Sequence, residues 1–149
     1  SEVAMTKKNK TQTQKKNWIW ILAAAILMVI AMVAFLPGTG DGENAMPATI
    51  NITEAADRFA QGAYLLDVRE QIEWEEAHVE GAVLIPLGEL STRLDELPTD
   101  EDILIICRSG NRSAQARDLL RQAGFERVTS ISGGINTWMA AGLPVVSGN

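Results

Sequence analysis

A lone sulfur atom, two arginines and a run of small polar residues stand together in Cys107-Arg108-Ser109-Gly110-Asn111-Arg112-Ser113. Cys107 is the only cysteine of the chain. A cysteine acts as a nucleophile through its thiolate, and a free thiol with a pKa of about 8.5 is mostly protonated at neutral pH. Permanent positive charges on Arg108 and Arg112, and main-chain amides at the start of a helix, all favour the thiolate. Gly110 allows the loop a positive φ, so that it can curl back over the sulfur. Ser109, Asn111 and Ser113 add hydrogen-bonding groups, and Ser113 is also placed to cap a helix.

The flanking segments position this loop. Ile103 to Ile106 are four consecutive apolar β-formers, which predicts a strand buried on both faces. After the loop, Ala116, Leu119, Leu120 and Ala123 recur with helical spacing, opposite Arg117, Asp118, Arg121 and Gln122. Strand, loop and helix in that order put the sulfur at the carboxyl end of a strand, where open α/β sheets hold ligands. The competing reading is an inert core cysteine, the usual fate of a free one. The polar residues that follow Cys107 argue against it.

The remaining segments alternate. Strands are predicted at Ala48–Ile52, Ala63–Val68, Val83–Ile85 and Val128–Ile131. Helices are predicted at Glu54–Gln61 with Thr53 as N-cap, Gln71–Ala77, Glu89–Leu97 and Ile135–Ala141. The expected fold is α/β, a mostly parallel five-stranded sheet with helices on both faces.

The motifs resemble those of rhodanese-like sulfurtransferases, single-domain members in particular. Cys107-x-x-Gly110-x-Arg112 is similar to their active-site loop. Asp67-Val68-Arg69, Glu73, His78-x-x-Gly81-Ala82 and Ile85-Pro86 resemble the first signature of the family, and Ser132-Gly133-Gly134-Ile135, Trp138 and Gly142-Leu143-Pro144 its last. Two positions depart: Ala77 stands where glycine is usual, and Glu80 where proline is frequent. The resemblance covers nearly all of residues 48–146. It implies a persulfide on Cys107, with the loop from Arg108 to Ser113 binding the donor and stabilising the persulfide. Asp67, Arg69, Glu73 and His78 are implied to be structural supports, with Asp67 and Arg69 pairing with each other or with Glu73. His78, the only histidine, is read as a structural hydrogen-bonding residue rather than half of a Cys–His dyad. Trp74 and Trp138 are read as packing.

Residues 18–36 are 19 consecutive residues without a charge, long enough as a helix to span about 28 Å, close to the apolar thickness of a bilayer. Trp18 and Trp20 sit at the end that follows all five lysines. The organisation expected is a basic cytoplasmic tail over residues 1–17, a transmembrane helix over 18–36, a linker over 37–47 and the domain over 48–149. Ser1 to Ala4, ahead of Met5, are read as extraneous to the natural chain. The positive-inside rule puts the N-terminus in the cytoplasm and the domain outside a single-pass anchor. Secretion after signal cleavage is the alternative. Leu36-Pro37-Gly38-Thr39-Gly40 is sortase-like but stands on the wrong side of its apolar segment.

From Pro37 onward there are 8 Arg and 18 Asp plus Glu, a balance that argues against nucleic-acid binding. A single cysteine excludes an internal disulfide and a multi-cysteine zinc site, and no metal or cofactor is expected. Three functions compete. In the first, a sulfurtransferase moves sulfur from thiosulfate or a similar small donor to cyanide or a thiol. In the second, a sulfur carrier or docking module on the lipid bilayer exchanges sulfur with a membrane-associated relay protein. The third is oxyanion chemistry of the phosphatase or arsenate-reductase kind, whose loops resemble Cys-x5-Arg. Arg112 gives Cys-x4-Arg, a tighter nest suited to one sulfur.

Overall fold

The computed structural model describes residues 45–149 and, before them, Ile21, Leu22 and Met28. The chain divides into two units, Ser1–Asp41 and Gly42–Asn149, and the second is treated below. Among the described residues no helix is long and apolar enough to cross a membrane. The tail, all but three residues of the 18–36 segment, and the linker up to residue 44 lie outside the described residues.

Among the described residues there are five strands: β1 Thr49–Ile50, β2 Tyr64–Asp67, β3 Val83–Leu84, β4 Ile103–Ile106 and β5 Val128–Ile131. They form one sheet in the order β1-β5-β4-β2-β3, and every pairing is parallel. The helices are α1 Ile52–Ala60, α2 Gln71–Glu76, α3 Leu87–Leu90, α4 Asn111–Gln122 and α5 Gly134–Ala140, with a 3-10 turn at Leu94–Glu96.

β4 lies at the centre, and its four residues are all buried. Alternation along it divides the core. Ile103 and Ile105 pack with Leu66, Val68, Ile85, Leu90, Ala116 and Leu120 on the face covered by α3 and α4. Leu104 and Ile106 pack with Ile50, Ala55, Leu65, Ile131, Ile135 and Trp138 on the face covered by α1 and α5. Continuing the alternation puts Cys107 on the first face. The two edge strands have only two residues each, which limits the unpaired backbone they offer to other chains.

The chain from β2 runs outward to β3, whereas the chain from β4 turns the other way to β5. The loops that follow β2 and β4 therefore part at the carboxyl ends of those strands. This is the crevice where parallel sheets receive ligands, and it contains Asp67 and Cys107.

The expected first strand, Ala48–Ile52, is shorter, and the helix after it already begins at Ile52. The N-cap of α1 is Asn51, whose side chain accepts the Glu54 amide at 2.9 Å, and not Thr53. The helix expected over Glu89–Leu97 is two pieces. Pro86 fixes the start of α3, and the chain leaves the helical path after Leu90 so that Leu90 and Leu97 are both buried. Packing also reaches back to Met46, which is 8% exposed and whose carbonyl accepts from Arg121 at 2.8 Å.

Thr129, in β5, is fully buried, and its hydroxyl has no hydrogen-bond partner among the described residues. An unpaired buried hydroxyl costs about 1–3 kcal/mol. Thr129→Val keeps the shape and removes the cost, so urea unfolding is expected to show a gain of about 1 kcal/mol. A loss of stability would mean that the hydroxyl has a partner.

Candidate active site

Cys107 follows β4 directly, and Ser113 lies in the first turn of α4. Between them the loop is closed by Gly110, the N-cap of α4, at φ +106°. A side chain there is disfavoured by the backbone conformation and crowded by the Gly133 nitrogen, 3.3 Å from where a Cβ would stand.

The sulfur sits beneath this loop. The Gly110 amide donates to Cys107 Sγ at 3.1 Å, and the thiol lies 3.5 Å from Ser113 Oγ. Ser113 Oγ in turn donates to the Gly110 carbonyl at 3.0 Å and lies 2.8 Å from Ser130 Oγ. Burial pushes the Cys107 thiol up, but the Ser113 hydroxyl and the amides of Ser113, Gly110 and Ser109 outweigh it and hold it below the usual cysteine range. When the sulfur ionises, the Ser113 proton can rotate toward it.

The direction of the amides has a cause on the other side of the loop. The first amides of α5 donate to the start of the loop: Ile135 to the Cys107 carbonyl at 2.8 Å and Asn136 to the Arg108 carbonyl at 3.2 Å. In a trans peptide the C=O and the following N–H point opposite ways. Tying down the Arg108 carbonyl therefore turns the Ser109 N–H toward the sulfur. Gly134 permits this approach, because a Cβ there would stand 2.3 Å from the Cys107 carbonyl oxygen. Neither Ser130 nor the α5 amides were singled out in the sequence. The paired glycines Gly133-Gly134 were the available signal for a close backbone approach.

Three expectations are modified. Cys107 is only 1% exposed, so it lies under the collar and not on open surface. Its surroundings are nevertheless two-sided, apolar toward the core between the sheet and α4 and polar toward the loop. Arg108 and Arg112 were both counted as free charges. Arg108 is exposed and makes no ion pair among the described residues, but Arg112 is gripped by Glu73, with Nη1–Oε2 at 2.6 Å and Nη2–Oε1 at 2.7 Å. The side-chain hydrogen bonds from Arg112 hold the Glu73 carboxyl down to about 2. The Glu73 carboxylate is thus the partner of Arg112 and not of Arg69.

Arg69 pairs with Asp67 instead, Nη2–Oδ2 at 2.7 Å, with both residues nearly fully buried. It also donates to the carbonyls of Glu73 and Ala77, at 3.2 and 2.8 Å. These contacts fasten α2 to the end of β2. His78 Nδ1 is 2.9 Å from the Trp74 carbonyl, and the two rings stack with centroids 3.8 Å apart. Its backbone pairs with Val146 in both directions at 2.8 Å. His78 is committed to the scaffold. Trp138 is buried and donates to the Pro144 carbonyl at 3.1 Å. Asn111 and Ser109 are exposed on the loop. A cleft of about 90 Å³ opens beside it, lined by Arg108, Asn136, Met139, Glu73 and Glu76 among others.

Residues 51–141 match the sequence pattern of the Rhodanese-like domain. The chain belongs to the rhodanese-like family. A sulfurtransferase of Allochromatium vinosum is 40% identical over 83 residues, which cover 56% of this chain and 78% of that protein. The Bacillus subtilis protein YrkF, provisionally named a sulfur carrier, is 45% identical over 74 residues, 50% of this chain and 40% of that protein. The chain thus spans well under half of YrkF. Among solved structures, a rhodanese-related protein of Thermoplasma volcanium superposes with a TM-score of 0.63 at 33% identity, over 67% of this chain and 98% of that one.

The pH dependence of alkylation by iodoacetamide checks the collar. The half-maximal rate is expected at a pH below that of an ordinary thiol, and Ser113→Ala is expected to move it upward while the fold survives. An unshifted profile in the variant would remove Ser113 from the collar.

Proposed function

We propose that the domain moves sulfane sulfur, from thiosulfate or a similar donor to cyanide or a thiol, through a persulfide on Cys107. The observation that carries this reading is the Gly110 amide donating to the Cys107 sulfur beside the Ser113 hydroxyl, in a loop that holds the thiol below the usual cysteine range. The same donors that favour the thiolate also favour an anionic persulfide, so charge is stabilised throughout the cycle.

In the first half-reaction the Cys107 thiolate attacks the outer sulfur of thiosulfate. A Cys107–sulfur bond forms, the sulfur–sulfur bond of the donor breaks, and sulfite leaves with the electron pair. In the second, cyanide or a thiolate attacks the outer sulfur of the persulfide, and Cys107 leaves as thiolate. Two separate half-reactions imply ping-pong kinetics. Arg108, exposed beside the sulfur, attracts the anionic donor.

A second reading has support in the likeness to YrkF. The domain would be a carrier that loads sulfur and hands it to a protein partner with little turnover on small acceptors. Intact-mass measurement separates the readings. Treatment with excess thiosulfate is expected to add one sulfur atom, which cyanide removes and which Cys107→Ser does not acquire. Repeated turnover with thiosulfate and cyanide fits the enzyme; loading that stops after one equivalent fits the carrier. No mass gain from thiosulfate would count against the first reading.

We also propose that residues 18–36 anchor the domain to a bilayer, with the lysine-rich tail in the cytoplasm and the domain on the other side. The support is the 19 uncharged residues, the tryptophans at one end and the charge step across them. In sealed right-side-out vesicles, added protease is expected to digest the domain. Protection of the domain in such vesicles would reverse the topology, and its absence from the membrane fraction would remove the anchor.

A further inference from the structure

The ion pairs around the loop determine what charge an incoming donor meets. Three arginines stand at the site. Arg69 is committed to Asp67. Arg112 is held by both carboxylate oxygens of Glu73, in a fork that leaves the guanidinium little freedom. Glu73 is itself fixed: its Oε2 accepts the Glu70 amide at 3.1 Å, and its carbonyl accepts from Arg69 at 3.2 Å. Of the three, only Arg108 has no ion pair among the described residues. It shares its cleft with Glu73 and Glu76, and Glu70 bears on Arg112 from the start of α2.

Pairing with Glu73 offsets part of the positive charge that Arg112 presents to the sulfur. The cleft beside the loop then holds one cation free of an ion pair among the described residues, Arg108, together with the carboxylate of Glu76. Thiosulfate is a dianion and must come into contact with a thiolate there. A hydropersulfide, R–S–SH, carries at most one negative charge at its sulfur end and meets correspondingly less repulsion.

We propose that Glu73 is a specificity-determining residue: by holding Arg112 in a closed ion pair, it sets the Cys107 loop to take sulfur from a hydropersulfide in preference to thiosulfate. This rests on the reading of Cys107 as the sulfur-carrying nucleophile and narrows its donor. In the step itself the Cys107 thiolate attacks the terminal sulfur of R–S–SH. The Cys107–sulfur bond forms as the donor's sulfur–sulfur bond breaks. The electron pair goes to R–S⁻, which takes a proton from water, and Cys107 is left as the persulfide. No external oxidant or reductant is needed.

The test uses the full chain and follows loading by intact mass. One donor is thiosulfate, the other the hydropersulfide of 2-mercaptoethanol, whose organic part is uncharged. Glu73→Gln is expected to raise the thiosulfate-to-hydropersulfide rate ratio by about tenfold or more, through a faster thiosulfate reaction. In an Arg112→Met background the same substitution is expected to leave the ratio unmoved, because no cation remains to be released. The unsubstituted chain gives an independent reading. Its thiosulfate loading should slow less between about 0.05 and 0.5 M salt than that of Glu73→Gln, because Arg108 acts in both and Arg112 is released only in the variant. Equal slowing with both donors in Glu73→Gln would make Glu73 a structural support and overturn the proposal. A fall of thiosulfate loading with salt as steep in the unsubstituted chain as in Glu73→Gln would overturn it too, since Arg112 would already be acting as a cation. Failure of both donors to load the unsubstituted chain would instead overturn the Cys107 reading on which it rests.

Discussion

Taking one sulfur atom out of water while keeping it ionisable is the constraint around which the loop is built. Burial alone favours the neutral thiol. The counterweight is a set of main-chain dipoles, which are neutral overall and lose nothing to salt at contact distance. They act only if every peptide of the loop faces the right way. That orientation is imposed from behind, by α5 amides holding the Cys107 and Arg108 carbonyls. The positive φ at Gly110 then completes the turn. The reactivity of one side chain thus depends on two short segments, after β4 and after β5, meeting at backbone distance.

The charged residues form a second layer that carries position from strand to loop. Asp67, at the end of β2, sits opposite Ile106 of β4 in the sheet register. It holds Arg69, Arg69 holds the backbone of α2, and Glu73 of α2 holds Arg112 of α4. A buried ion pair such as Asp67–Arg69 contributes little net stability, because desolvation of both charges offsets their attraction. Its value here is geometric. Both partners are nearly inaccessible, the guanidinium has a carboxylate and two backbone carbonyls around it, and α2 therefore has one position relative to the loop. The partly exposed Glu73–Arg112 pair can then be short and bidentate without requiring either residue to search for the other.

Much of this was legible in the sequence because it was written in local pattern. The four apolar residues of β4, the loop glycine and the amphipathic period of α4 give the strand-loop-helix unit without reference to the rest of the chain. The parallel order follows from alternation of elements. The supporting role of His78 follows too, and its contacts with Trp74 and Val146 give it a concrete form. What the sequence did not disclose depends on contacts between distant segments. Glu73 and Arg112 are 39 residues apart, and three nearby guanidinium groups compete for the same carboxylates. Ser130 faces Ser113 only because β5 lies beside β4. The break between α3 and the 3-10 turn is set by the need to bury Leu90 and Leu97 together, which local propensity does not register.

A cysteine that is 1% exposed looks poorly placed to serve partners of any size, yet under the proposed reading a persulfide on it would change the geometry of access. A sulfur–sulfur bond is about 2 Å long, so the reactive atom of a persulfide stands that much farther out than the thiol. The empty state admits only a donor whose transferable sulfur protrudes from a slender end. The loaded state presents its outer sulfur nearer the mouth, where an acceptor need not penetrate the collar. Meanwhile the inner sulfur keeps its hydrogen bonds and remains a good leaving group, because the amides that stabilise the thiolate are already in place when the bond breaks. The same burial that protects the lone thiol from chance oxidants therefore also separates the two half-reactions: the donor has to reach in, and the sulfur then reaches out to the acceptor.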